Sequence, residues 1–381
     1  MARNHKFFWG AATSAYQVEG GIQNDWSASG FDAGRAIDHY NRFREDFDLA
    51  QQMGHNAHRF SLEWARIEPE EGKFSQKEIL HYKEVVTELR TRGIEPFVTL
   101  WHFTSPVWFS KLGGFANAQN IKYFERYADM VSRELGSPVR FWITINEPEI
   151  YAFNVYLRGV WPPKKSFLGY LKVIQNLIVA HKSAYRIIHK NIKDAQVGIA
   201  KNNSYFECGT KNPLDILLTR FVKWWWNDRI LREIHNQQDF IGLNYYFHNR
   251  IKGLKFNQNE NKEVSDLGWE IYPEGLYHVL KDLKKYNKPI YITENGLADA
   301  KDEKRVQFIK DHVGWMKKAM AEDADVRGYF HWSLIDNFEW DKGFDPRFGL
   351  IEVDYKTMER KVRQSAYEYR EIIESSANLT N

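Results

Sequence analysis

Eight short apolar or β-branched runs, each followed by a stretch with helical spacing, constrain this chain more than any other feature. The runs are KFFWGAATS from Lys6, NAHRFSLEW from Asn56, IEPFVTL from Ile94, FWITINEP from Phe141, AQVGIAKN from Ala195, DFIGLNYY from Asp239, KPIYITENG from Lys288 and DVRGYFHWSLI from Asp325. Between two of them, SQKEILHYKEVVTELRTRG sets Ile79, Tyr82, Val86 and Leu89 on one stripe, which Gly93 closes. Strand and helix in alternation imply a parallel sheet. The cores ITI, FVTL, FIGL and PIYIT are apolar throughout, as strands covered on both faces must be. Eight is the number at which such a sheet closes, so the expectation is a single (β/α)8 TIM barrel domain over residues 1–381, with a doubly wound open sheet as the alternative. No Pro, Gly or Ser linker divides the chain.

A barrel brings all eight strand ends onto one face, where active sites of this architecture lie. The ends and the first loop residues are Gln17 and Glu19, Arg59, His102, Asn146 with Glu147, Asn244 with Tyr246, Glu294 with Asn295, and Trp332. Nearly all are polar. Glu147 closes strand four and Glu294 closes strand seven, so two carboxylates are expected to project into one polar pocket. That pairing suits cleavage of a glycosidic bond: one acid protonates the leaving oxygen, and the other attacks the anomeric carbon or guides water. Covalent attack with retained stereochemistry requires the two about 5–5.5 Å apart. Arg59 and Tyr246 can donate to a carboxylate and would keep Glu294 ionised, whereas Glu147 has no cation beside it in sequence.

In order along residues 7–355, GAATSAYQVEGG, HRFSLEWARI, TLWHF, ITINEPE, GLNYY, YITENG and YFHWSLIDNFEW followed by DPRFGLIEVDY resemble glycoside hydrolase family one, the β-glucosidase and β-galactosidase group. NEP before TENG, with WSLxDNFEW behind, is specific; either short motif alone is not. The resemblance implies Glu147 as general acid/base and Glu294 as nucleophile. It also implies that Gln17, His102, Glu339 and Trp340 hold the sugar, with Asn146 on the 2-hydroxyl, Trp332 as the pocket floor, and Tyr246 and Phe348 as further contacts. Arg59 and Asn244 support them. A retaining exo-β-glycosidase acting on a terminal β-glucoside or β-galactoside is the activity implied. A transglycosylating relative and a barrel that binds sugar without turnover are the alternatives.

The chain departs from the family pattern where Phe103, not Trp, follows His102. LWHFTSPVWF is similar to an archaeal-type branch, some members of which prefer alkyl or other hydrophobic aglycones. Glu339 and Trp340 are kept, and Pro346 stands where the class cleaving 6-phosphorylated glycosides has Lys, which favours an unphosphorylated hexose. Connections after strands five and six are compressed, which implies a wider entrance.

Other classes lose support. Lys plus Arg number 53 against 50 Asp plus Glu, a net +3, with no basic block that could track nucleic acid. Cys208 is the only cysteine, so neither an internal disulfide nor a cysteine zinc cage is possible. His55 and His58 have a metal-like spacing but fall on a strand, and neither a G-x-G-x-x-G cradle nor a G-x-S-x-G elbow occurs; no cofactor or metal is implied. No stretch reads as a signal peptide or a membrane span, so a cytoplasmic, membrane-free protein is expected. Aromatics make up 15% of the chain, with 14 Trp, a content suited to stacking on sugar faces. Three of those Trp, at 224–226, fall in a helical stretch and read as helix packing away from the strand ends, with a subunit contact or an aglycone shelf as the lesser alternatives.

Overall fold

A computed structural model describes residues 6–162 and 165–377, so 1–5, 163–164 and 378–381 of the expected domain lie outside the described residues. The eight runs form strands β1 (Phe8–Ala12), β2 (Ala57–Ser61), β3 (Glu95–Trp101), β4 (Phe141–Asn146), β5 (Gln196–Asn202), β6 (Phe240–Asn244), β7 (Ile290–Asn295) and β8 (Val326–Trp332). Each pairs in parallel with its sequence neighbours, and β8 returns to β1, closing the barrel. Closure rejects the open doubly wound sheet.

The helical stripes fall where the periodicity places them. Residues Gln76–Thr91 form one helix, capped by the Ser75 hydroxyl on the Glu78 amide, with Ile79, Tyr82, Val86 and Leu89 buried. A large apolar layer lies between helices and barrel, and a second cluster fills the barrel itself. Inside, Phe97 stacks on Phe141 with centroids 4.2 Å apart, and Phe8, Tyr291 and Phe330 meet Phe97 edge-on. Gly198 makes room for this layer, since a Cβ there would come within 2.6 Å of the Phe240 ring. Aromatic filling of the lower barrel leaves only the carboxyl ends of the strands open for chemistry.

Register then aligns those ends. Asn202 pairs with Asn244, and Asn244 with Glu294, so three polar residues from β5, β6 and β7 stand in one row. Register shifts occur at this same end in three pairings, between Ile143 and Asn146, Leu243 and Asn244, and Tyr329 and His331. Such irregularities re-aim side chains at barrel rims.

Two short strand pairs lie outside the barrel: Tyr205–Cys208 with His248–Ile251, and Ile351–Val353 with Arg360–Val362. Between β8 and the second pair runs a long loop pinned by buried Asp336. Its carboxylate accepts from the two terminal guanidinium nitrogens of Arg363 (2.8 and 2.9 Å), from Arg347 (2.9 Å) and from the Gly349 amide (3.0 Å).

Candidate active site

A cavity of about 710 Å³ opens at the carboxyl ends of the strands, lined in its depth by His102, Asn146, Glu147, Glu294, Trp332 and Glu339. Tyr246, Trp340 and Phe348 also face it. Four non-glycine residues lining it have left-handed backbones: Phe103 (φ 72°), Glu147 (φ 40°), Asn257 (φ 54°) and Trp340 (φ 49°). Strain of this kind, costing about 1–3 kcal/mol per residue, persists where surrounding contacts over-determine the geometry. Around Glu147 those contacts include its amide on the Ala200 carbonyl at 2.8 Å.

One hydrogen-bonded network joins the two carboxylates. Arg59, 1% exposed, donates to Glu294 Oε1 and to Asn146 Oδ1 (2.6 Å). Tyr246 donates its hydroxyl to Glu294 Oε2 at 2.8 Å. Asn244 Nδ2 donates to Glu147 Oε1 (2.9 Å) and to Asn146 Oδ1 (3.2 Å), while Thr293 holds Asn244 Oδ1 at 2.7 Å. Asn202 Nδ2 completes the set on Glu147 Oε1 at 3.0 Å.

The two acids differ in what surrounds them. Burial pushes Glu147 up to about 8, with the charges of Glu294 and Glu149 adding to it and the hydrogen bonds from the Asn244 and Asn202 amides opposing. Burial also raises Glu294, but the Arg59 charge and the Tyr246 hydroxyl pull it back towards the ionised form. The expectation that Arg59 and Tyr246 bear on Glu294 matches the geometry; Glu147, which has no cation beside it in sequence, hydrogen-bonds to none among the described residues, but the buried Lys201 ammonium acts on it at longer range.

Asn146 also fixes the state of His102. A guanidinium can only donate, so Oδ1 must face Arg59 and the amide nitrogen must face His102 Nε2, at 3.1 Å. That nitrogen accepts, which puts the ring proton on Nδ1. Burial and the Arg59 charge keep the ring neutral. His102 lies parallel to Trp332 and Trp340, with centroids 5.9 Å from each.

Some strand-end residues are spent elsewhere. Gln17 is fully buried behind the cavity, where its amide donates to the Phe338 carbonyl (2.8 Å), Asn337 Oδ1 (3.0 Å) and Glu339 Oε2 (3.3 Å); it reaches the cavity through Glu339. Glu19 is bound to Tyr82 and Arg66, away from the mouth. Asn295 bridges the Tyr245 carbonyl and the Tyr329 hydroxyl.

Sequence reasoning also missed residues. No end residue was taken from β5, although the same rule points to Lys201 and Asn202. Lys201 is fully buried and pairs with Glu149 at 2.9 Å, and Glu149 Oε1 accepts from the Asn202 amide at 2.6 Å. An ion pair thus braces the residue that holds Glu147. The reading of 224–226 as remote helix packing is corrected too: Trp225 and Trp226 line the outer cavity with Phe247, Phe256 and Trp269. The helix there changes to a wider π turn over Trp224–Asp228, which redirects the side chains.

The sequence model of Glycosyl hydrolase family 1 matches residues 3–232 and 224–378. Beta-glucosidase A of Thermotoga maritima is 34% identical, over 97% of each chain. Among solved structures, a beta-glycosidase from Pyrococcus horikoshii superposes with a TM-score of 0.92 at 40% identity, covering 97% of this chain and 94% of the other. A beta-glucosidase from Thermotoga maritima in complex with glucoimidazole gives 0.91 at 33% identity, with 98% and 99% covered. With a family match over nearly the whole chain and a barrel that superposes on family structures, the protein belongs to glycosyl hydrolase family 1 and is a glycoside hydrolase.

Proposed function

We propose that the enzyme releases a terminal, unphosphorylated β-D-glucosyl or β-D-galactosyl unit by double displacement, with Glu294 as nucleophile and Glu147 as general acid/base. The observation that carries the assignment is the unequal environment of the two carboxylates. Glu294 is gripped by a cation and a hydroxyl, which favour the ionised, attacking form. Glu147 hydrogen-bonds to no cation among the described residues, and burial pushes it up to about 8, which favours the protonated form.

In the first step the Glu294 carboxylate forms a bond to the anomeric carbon as the glycosidic bond breaks. Glu147 gives its proton to the departing oxygen. Glu147, now ionised, takes a proton from water, whose oxygen attacks the anomeric carbon and frees Glu294. Two inversions leave the product with its original anomeric configuration. Asn146, His102, Glu339 and Trp340 offer donors, acceptors and an apolar face to the sugar, with Trp332 and Phe348 closing the pocket. Asn146 serves the 2-hydroxyl, where contacts strengthen in the transition state. Glu339 and Trp340, the pair that the class cleaving 6-phosphorylated glycosides replaces, both line the cavity, which supports an unphosphorylated sugar as the substrate.

The whole span 1–381 acts as one unit in this reading. A cytoplasmic location agrees with the lone thiol of Cys208, which can form no internal disulfide. Among the described residues no helix is long and apolar enough to cross a membrane.

The roles are separable by experiment. Glu147→Ala should keep the first step with a dinitrophenyl glucoside, whose leaving group needs no proton, and stall the second. Azide, which needs no base, should restore turnover and give the β-glycosyl azide. Rescue with an α-azide product, or no rescue, would contradict the assignment. Glu294→Ala should turn over no aryl β-glucoside, which also discriminates against a barrel that only binds sugar.

A further inference from the structure

Beside the barrel, the strand pair Tyr205–Cys208 and His248–Ile251 encloses a histidine that the proposed chemistry does not use. The His248 side chain is 1% exposed, and both of its ring nitrogens meet carboxylates: Nδ1 lies 2.6 Å from Glu270 and Nε2 2.9 Å from Glu207. Carboxylate oxygens only accept, so both nitrogens donate. Tyr272 stacks on the ring with centroids 4.0 Å apart, and Tyr205 stacks at 5.4 Å.

Each carboxylate is held in turn. Glu207 also accepts from Arg250 (2.9 Å), which reaches on to Glu260 (2.8 Å), and Glu270 accepts from the Asn261 amide (2.9 Å). Asn259 donates to the His248 carbonyl at 2.8 Å. Three segments, 205–208, 246–251 and 259–270, therefore meet at one ring. The set is not laid out for a metal ion: the two acids sit on opposite ring nitrogens, and among the described residues no group of three such side chains could hold one.

What the ring joins lies against Glu294. Two residues before His248 stands Tyr246, whose hydroxyl reaches Glu294, and one residue before Glu270 stands Trp269. Trp269 packs edge-on against Phe247 at 4.8 Å and against Tyr246 at 5.9 Å, and it meets Phe348 at 6.1 Å. A tyrosine hydroxyl sits at the end of a rigid ring, so it is aimed by its own backbone and by what packs on that ring. The His248–Glu270 bond ties the backbone that carries Tyr246 to the backbone that carries Trp269.

We propose that His248 is a positioning residue: by bonding Glu270 and Glu207 at once it holds Tyr246 and its buttress Trp269 in place, and so keeps the Tyr246 hydroxyl on Glu294. The consequence for catalysis rests on the proposed role of Glu294, whereas the placement of Tyr246 does not.

The groups facing Glu294 are Arg59 on β2, Glu147 on β4, Asn244 at the end of β6, Tyr246 beyond it and Glu339 in the loop after β8. Of these, Tyr246 is the one tied to His248, and its hydroxyl pulls Glu294 towards the ionised form. A displaced Tyr246 therefore raises Glu294. Attack needs the ionised form, so the acid limb of kcat/KM moves up in pH.

Cutting the clasp from either side, with His248→Ala or Glu270→Ala, should move that limb up by about one pH unit for an aryl β-glucoside. Glu270→Gln should give back the unmodified limb, because the neutral amide still donates to Nδ1 while Nε2 donates to Glu207. In a Tyr246→Phe background neither Ala variant should add to the shift, whereas a general loosening of the fold would. Crystal structures of the Ala variants should show the Tyr246 hydroxyl beyond hydrogen-bond reach of Glu294. The idea is overturned if the limb stays put, if the shift adds in full to that of Tyr246→Phe, if Glu270→Gln shifts as far as Glu270→Ala, or if the crystals keep Tyr246 on Glu294. Should His248→Ala not fold, Glu270→Ala set against Glu270→Gln reads the same contrast. A displaced Tyr246, in a protein that cleaves no aryl glucoside even when unmodified, would support the clasp and refute the glycosidase reading instead.

Discussion

At the scale of single residues the chemistry depends on how charges are placed around Glu147. The groups that face it are Glu294 on β7, Glu149 on its own turn, Lys201 and Asn202 on β5, Asn244 on β6 and Tyr246 beyond it; Arg59 and His102 bear on it through Asn146, and Glu339 lies across the cavity. Glu149 raises Glu147, and the Lys201 ammonium, paired with Glu149 and also coupled to Glu147, acts in the opposite direction. In its proposed role of general acid Glu147 must be protonated, so activity should fall on the alkaline side as pH rises through its pKa. Lys201→Met leaves a carboxylate uncompensated and should move that alkaline limb up; Glu149→Gln leaves a cation and should move it down, each by about one pH unit. The double variant should return near the starting profile. Profiles of kcat/KM against pH check this, and limbs that shift in the same direction would show that the pair only braces the structure. NEP and TENG made both carboxylates legible because each follows an apolar run at a strand end. The brace was not legible, because a lysine closing a strand reads as a solvated end unless its burial is known.

At the scale of elements, the loop after β8 carries Glu339, Trp340 and Phe348 and owes its course to Asp336. Asp336→Asn leaves two arginines short of a counter-charge, and losing one partner of a buried pair costs about 3–5 kcal/mol. Urea melts should show that loss, and KM for an aryl glucoside should rise more than kcat falls, since the loop carries the residues proposed to meet the sugar and not the two acids proposed to react. A kcat loss with KM unchanged would contradict this. The barrel strands were readable because both faces are covered, which makes ITI and FIGL continuous apolar runs. Tyr205–Cys208 and His248–Ile251 were not, since each is short and mixed and finds its partner roughly forty residues away. The π turn at Trp224–Asp228 escaped for a different reason: helical periodicity does not register a local widening, and that widening is what sends Trp225 and Trp226 to the cavity.

At the scale of the whole molecule, several carboxyl groups are buried with raised pKa values. Burial lifts Asp25 to about 8, Glu63 to about 7 and Glu339 to about 8, besides Glu147. Asp25 and Glu63 brace the loop after His102 through the Ser105 amide and the Thr104 hydroxyl. A carboxyl with a folded pKa above its unfolded value of about 4 holds a proton in the fold that the unfolded chain has released. Its stabilisation is full below pH 4 and is lost as pH rises through 7 and 8. Above pH 7, where the buried histidines held neutral by the fold no longer titrate in the unfolded chain, melting temperature should therefore fall as pH rises to 9, and Asp25→Asn should flatten that slope; a melting temperature that climbs from pH 7 to pH 9 would contradict the burial assigned to these acids.

The central claim is that Glu294 and Glu147 act on opposite sides of one bond, with Glu294 forming the covalent link. Incubation with a 2-deoxy-2-fluoro β-glucoside bearing a dinitrophenyl leaving group, followed by peptide mapping by mass spectrometry, tests it directly. One sugar should be found per chain, attached to the side chain of Glu294, and the adduct should decay with return of activity. A label on any other residue, or rapid inhibition without a covalent adduct, would contradict it.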